Sequence, residues 1–237
     1  MDKNRYYDAI LKNLDEINSN IEKACLKANR KQSEITLVAI SKTHPVELIE
    51  TAYNAGLRQF GENRIQEAES KFDGFHSDAV LHLVGHIQSN KAKKAAVMAE
   101  WIHSVDKAST AEKLSKNAEQ LNKTLQVLLE VNTTGKESQH GYRDKDNLYR
   151  DIEKIAGFPA INIRGLMTIA PFTNEEKYIR KSFSYLRNLL ENVRRYYPNL
   201  QLDQLSMGMT NDYSIAVEEG ATMLRIGSAI FGARDYI

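Results

Sequence analysis

The strongest constraint in this sequence is an alternation that begins at residue 35, where short apolar runs are separated by stretches of helical periodicity. The runs at 35–41, 57–61, 81–85, 101–104, 126–131, 163–169, 202–207 and 223–226 predict strands. Residues 45–55, 65–72, 90–99, 109–121, 145–156, 174–196 and 213–219 predict helices between them. Pro45 suits a first helical position, and Thr173 with Glu176 has the spacing of a capping box. ITLVAIS and LQVLLEV are almost continuously apolar, as expected of parallel strands buried on both faces. Right-handed crossovers then place the helices outside. Eight such units closing on themselves make a single (β/α)8 TIM barrel, the fold expected here, and an open doubly wound sheet is the other arrangement the pattern allows.

Ahead of the alternation, Tyr7, Ile10, Leu14, Ile17, Ile21, Ala24 and Ala28 recur at spacings of three and four, which makes one apolar stripe on a helix. Residues 1–30 are therefore expected to form an additional N-terminal helix laid on the barrel, with self-association as the alternative use of the stripe. No repeat, low-complexity segment or long linker divides the 237 residues, so one domain over 1–237 is expected. With 32 basic and 31 acidic side chains the formal net charge is +1, which gives no reason to expect bulk capture of nucleic acid or membrane. Cys25 is the only cysteine, so an internal disulfide is excluded, and it reads as a small buried residue of the first helix. The polar start and the lack of a long apolar run make the cytoplasm the expected compartment. In that setting the Asn132-Thr133-Thr134 glycosylation match is coincidental.

In a barrel, polar residues at the C-terminal strand ends face the mouth, and a phosphate site commonly forms after the seventh and eighth strands. Lys42 follows ITLVAIS directly, so partial desolvation or a nearby cation would free its amine for attack on an aldehyde; a solubilising surface role is the plain alternative. The last two strands run into SMGMT (206–210) and RIGSAIFG (225–232). Gly208 and Gly227 let backbone approach an anion, and the hydroxyls of Ser206 and Ser228 can donate to phosphate oxygens, unless these are simply tight turns. An inward Arg225 needs a partner, such as a heterocyclic nitrogen or a carboxylate. Asn63 and His82, with Asn90, fit contact with a cofactor or pure scaffolding equally well. Glu62 and Glu67 read more readily as helix-start and helix-face residues than as acids or bases. The histidines show no compact ligand spacing, His44, His76, His103 and His140 each have a loop or surface explanation, and no metal is expected. Lys91, Lys93 and Lys94 read as a solvated face. No nucleophile elbow, P-loop or dinucleotide glycine signature is present.

Taken together, AISKT (39–43), FGEN (60–63), HLVG (82–85), QSNK (88–91), GLM (165–167), LSMGMT (205–210) and LRIGSAIFG (224–232) resemble the YggS/PROSC family of pyridoxal phosphate (PLP) homeostasis proteins, in order and over nearly the whole chain. The resemblance implies a barrel like that of alanine racemase, with pyridoxal 5'-phosphate covalently bound to Lys42 as a Schiff base. It implies Arg225 facing the pyridine nitrogen and Ser206, Gly227 and Ser228 around the phosphate; Asn63 and His82 fall within matching strings. Gln139, Arg64 and Leu81 depart from the family pattern at the mouth, whereas Ser228 in place of the usual threonine keeps the hydroxyl.

An arginine beside the ring nitrogen weakens the electron sink that carbanion chemistry needs. The chain also stops soon after the eighth strand, where related racemases continue into a second domain that helps enclose the site. The expectation is a carrier rather than an enzyme, with any turnover slow and incidental. Its expected partners are PLP, PLP-dependent apoenzymes and small amino or keto acids, and it is expected to be a monomer or weak homodimer. The alternatives are a weak PLP-dependent racemase, an aldolase-like Schiff-base barrel, and an interaction scaffold that does not use Lys42.

Overall fold

The computed structural model describes residues 3–232. Eight strands, β1 (Thr36–Ile40), β2 (Gln59–Glu62), β3 (Val80–Leu83), β4 (Trp101–Val105), β5 (Leu125–Glu130), β6 (Ile161–Met167), β7 (Gln204–Ser206) and β8 (Met223–Ile226), close in sequence order into a barrel. All neighbours are parallel, including the closing pair, in which Thr36, Leu37, Val38 and Ala39 oppose Met223, Leu224, Arg225 and Ile226. The expected (β/α)8 barrel is therefore present, and the open sheet is excluded. Several strands are shorter than the apolar runs suggest. Leu57, for example, is spent on closing the preceding helix, its N–H donating to the Ala52 carbonyl. The β5–β6 ladder shifts register beside Gly165, whose φ is +154° and whose Cβ, if it had one, would lie 1.8 Å from the Gln204 carbonyl oxygen. Only glycine lets β6 and β7 come together there.

Helices α2 (Val46–Asn54), α3 (Ile65–Phe72), α4 (Ala92–Met98), α5 (Ala108–Glu119), α6 (Lys145–Ala156), α7 (Glu176–Tyr196), α8 (Tyr213–Glu218) and α9 (Ser228–Phe231) follow the strands in turn. Their apolar faces pack inward at helical spacing, as with Ile179, Phe183, Leu186, Leu190 and Val193 of α7. Pro45 sits in extended conformation one residue before α2. Thr173 does not cap α7 as expected. The helix starts later, with Glu175 as its N-cap, and the Thr173 hydroxyl accepts the Glu175 N–H at 3.1 Å in a turn ahead of it.

Helix α1 (Lys3–Lys27) packs against α2, α8 and α9. Ile10, Leu14, Ile17, Ile21 and Ala24 are buried with Cys25, so the middle of the stripe is covered by the barrel's own helices, whereas Tyr7 at its start is exposed and Ala28 at its end half-buried. Polar anchors fix its register: Asn13 Nδ2 donates to the Ile230 carbonyl at 2.9 Å, and Arg30 Nη1 donates to the carbonyls of Val217 and Ala221. Among the described residues no helix is long and apolar enough to cross a membrane.

Candidate functional site

Lys42 lies two residues beyond β1, half-buried at the mouth. Both residues flanking it are tied down. The Ser41 N–H donates to the Gly61 carbonyl, and its hydroxyl donates to Glu62 Oε1 at 2.7 Å. The Thr43 N–H, at a left-handed φ of +67° that a β-branched residue rarely adopts, donates to Glu67 Oε1 at 2.8 Å. Lys71, on α3, completes the clamp by donating to the Ser41 carbonyl at 2.8 Å, to Glu62 Oε1 at 2.9 Å and to Glu67 Oε1 at 3.4 Å. Burial raises the Glu62 pKa despite Ser41 and Lys71. For Glu67, burial is outweighed by the Thr43 N–H and Lys71, and its pKa falls. Glu67 thus holds the backbone after Lys42 and Glu62 the Ser41 hydroxyl before it, and Lys71, a residue that sequence reasoning missed, binds the Ser41 carbonyl and both carboxylates.

Across the closing seam, Gly227 lies against β1: a Cβ there would stand 3.0 Å from the Ile40 carbonyl oxygen. The strand end leading to Lys42 and the Gly227-Ser228 turn are therefore direct neighbours. The Ser228 hydroxyl lies 3.1 Å from that of Thr210, which also accepts the Ala229 N–H at 3.4 Å, so the loops after β7 and β8 form one rim. Gly208, at φ +95°, has its own packing reason, because a Cβ would fall 2.6 Å from the Ala216 methyl. Asp212 Oδ1 accepts the Met209 N–H and closes that turn.

Arg225 projects from β8 and is 5% exposed. Its Nη1 donates to Ser206 Oγ at 2.6 Å and its Nη2 to the Thr168 carbonyl at 2.8 Å. Burial lowers its pKa to about 10, opposed by the charges of Asp212 and Glu130. Glu130, at the end of β5, is pushed up to about 7 by burial and by Asp106, with Arg225 opposing. Ser206 is turned into the barrel rather than toward the rim. Its hydroxyl lies 2.9 Å from His103 Nδ1, His103 Nε2 lies 2.9 Å from His82 Nδ1, and His82 Nε2 lies 2.7 Å from Gln59 Oε1. His82 is thus fully enclosed, with both ring nitrogens partnered inside the barrel. The expectation of a loop or surface place for His103 is corrected, since it is wholly buried in β4. Burial drives both imidazoles neutral, His82 to a pKa of about 3. A polar residue inside an otherwise apolar strand was the available sign.

Asn63, just beyond β2, lines a cavity of about 550 Å³ with Arg64, Gln66, His86, Gln88 and Lys91. The β1/β8 seam sets the backbone just before Lys42 beside Gly227-Ser228, with Arg225 opposite Val38 in the same ladder; Ser206 and His82 form the polar line behind Arg225, and Asn63 lines the cavity beyond β2. Lys94 pairs with Glu69 on the outside, the solvated face expected of it.

The model of the alanine racemase N-terminal domain matches residues 12–235. The chain is 38% identical over 231 residues to the pyridoxal phosphate homeostasis protein of Pasteurella multocida, covering 96% of this chain and 98% of that one. It is 40% identical over 229 residues to that of Pseudomonas aeruginosa, covering 96% of both. The chain belongs to the pyridoxal phosphate homeostasis family. Within that family, the structure of PipY from Synechococcus elongatus with PLP bound superposes with a TM-score of 0.82 at 35% identity, over 94% of this chain and all of that one. Outside it, an alanine racemase of Clostridium difficile superposes with a TM-score of 0.74 at 13% identity, over 96% of this chain and 56% of that one, a likeness of fold.

Proposed function

We propose that this chain is a cytoplasmic carrier of pyridoxal 5'-phosphate, which it holds reversibly on the Lys42 amine and passes to PLP-dependent apoenzymes. The observation that carries this reading is the seam itself. It sets the strand end bearing Lys42 against the Gly227-Ser228 turn, with Arg225 buried two residues earlier on β8, opposite Val38. An amine, an arginine and a rim of hydroxyls with close backbone suit an aldehyde, a ring nitrogen and a phosphate respectively. The PLP-bound structure of PipY, a relative over nearly its full length, supports the same ligand.

Bound PLP supplies an aldehyde for reversible Schiff-base formation and a ring that withdraws electrons. The protein's part is to hold it. The Glu62, Glu67 and Lys71 clamp fixes the backbone around Lys42, and Ser228, Thr210 and Gly227 would hold the phosphate. Ser206 and Gly208 support the site from below, Ser206 by accepting from Arg225 and Gly208 by accepting the Arg225 N–H on its carbonyl. Arginine only donates hydrogen bonds, so it favours an unprotonated ring nitrogen and a weak electron sink. That supports holding and delivery over turnover, with small amino or keto acids as ligands of the same mouth.

Borohydride reduction of the PLP-loaded protein followed by peptide mass mapping tests the attachment. A pyridoxyl adduct is expected on the peptide containing Lys42, and an adduct elsewhere, or none, overturns the assignment. Exchange of the amino-acid α-proton at rates typical of an enzyme, dependent on Lys42, would overturn the carrier reading in favour of a racemase.

A further inference from the structure

The loops that follow β3, β4 and β5 bring His86, Asp106 and His140 together, the one group of its kind among the described residues with metal-ligating atoms all within 4.8 Å of one another. We propose that these three side chains bind a divalent transition-metal ion of the zinc class. Two imidazoles and one carboxylate are the donor set that zinc takes when it keeps a further position for water or a small carboxylate.

The positions are built rather than accidental. Ser104 Oγ donates to the Gly85 carbonyl at 2.6 Å, tying the chain just before His86 to the strand that leads to Asp106. Asn132 Nδ2 donates to the carbonyls of Lys136 and Gln139, and the Tyr142 N–H donates to the Glu130 carbonyl at 2.7 Å, so the loop is pinned on both sides of His140. Gly141, at φ +106°, permits that turn, because a Cβ would meet the Glu130 carbonyl oxygen at 2.8 Å.

The ligating atoms have no better use. His86 Nδ1 stands 3.3 Å from Asp106 Oδ2, yet is buried without a hydrogen-bond partner, and Asp106 Oδ1 is likewise buried and unpartnered. Unsatisfied buried polar atoms are costly, and an ion would satisfy both groups. His140 Nδ1 lies 3.9 Å from the same carboxylate oxygen, and the two imidazole rings stack at 3.9 Å. Metal bonds of about 2.0–2.1 Å in a tetrahedral site need ligand atoms about 3.4 Å apart. The His86–Asp106 pair already fits; since the three ligand atoms lie within 4.8 Å of one another, the exposed His140 ring has to leave its stack on His86 and close by up to about 1.4 Å.

Calorimetric titration of untagged, chelator-treated protein with zinc sulfate decides the matter. One saturable equivalent is expected, with affinity reduced by at least about tenfold in His140→Ala and in Asp106→Asn. His140 is more than half exposed, so its truncation leaves the fold intact. Lack of saturable uptake up to about 100 µM zinc, far weaker than protein zinc sites bind, would overturn the proposal. So would an affinity that neither substitution changes, which would mean an ion held elsewhere. The same titration on Lys42→Ala is expected to be unaltered, so the result stands or falls apart from the PLP reading.

Discussion

Gln59 Oε1 can only accept a hydrogen bond, and with neutral imidazoles that restriction orders the protons along the line from Gln59 back to Arg225. His82 donates from Nε2 to Gln59 Oε1, so its Nδ1 accepts from His103 Nε2, and His103 Nδ1 accepts from the Ser206 hydroxyl, which itself accepts from Arg225. The line is satisfied only while both imidazoles are neutral. In the unfolded chain an imidazole takes up a proton below about pH 6.5, which the folded His82 refuses until about pH 3. Its contribution to stability is therefore complete above pH 6.5 and is lost as the pH falls from there toward 3. His82→Gln removes that titration. Between pH 7.5 and 5.5 the wild type should lose about 1 kcal/mol more stability than the variant, measured by urea denaturation at each pH. Equal losses would show that the ring is not held neutral. Little of this line could be read from the sequence. The strand pattern places His82, His103 and Ser206 on strands but carries no information about which ring nitrogen meets which neighbour across the barrel.

At the scale of elements the sequence was far more legible, because burial repeats with a period. The stripe on α1 was visible in the spacing of Ile10, Leu14, Ile17 and Ile21, and the same residues are buried against the barrel's helices. Strand ends were less legible, since hydrogen-bond register and not hydrophobicity decides where a ladder stops, as at Leu57. The clamp around Lys42 was hidden for a related reason: Lys71 is one more polar residue on an amphipathic helix until the fold brings it beneath β1. The N-terminal helix should contribute as a packed part of the molecule rather than as an appendage. Ile17 is 2% exposed, so Ile17→Ala should cost about 2–5 kcal/mol, the range for truncating a buried aliphatic side chain. A loss well below 1 kcal/mol in urea denaturation would mean that α1 does not share the barrel's cooperative unfolding.

For the molecule as a whole, the critical place is the closing seam. Beside that seam, on the other edge of β8, the β7–β8 ladder has Ser206 opposite Met223 as its one registered pair, and Arg225 reinforces it by reaching from β8 to Ser206 and to the Thr168 carbonyl beyond β6. A ligand joined to Lys42 at one side and seated on the Gly227-Ser228 turn at the other would span β1 and β8, tying the first strand to the last. Ligand that binds only the closed barrel stabilises it by about 3 kcal/mol at a hundredfold excess over its dissociation constant. For a chain of this size each kcal/mol raises the melting temperature by about 2–4 °C, so saturating PLP should raise it by about 5–10 °C. Lys42→Ala retains the phosphate rim but loses the covalent end, and its shift should fall below half that of the wild type. Differential scanning fluorimetry with and without PLP reads both values. A wild-type barrel whose melting temperature ignores PLP would remove the seam as the binding place, whereas a full shift in Lys42→Ala would leave the ligand on the rim and take the tether away from Lys42.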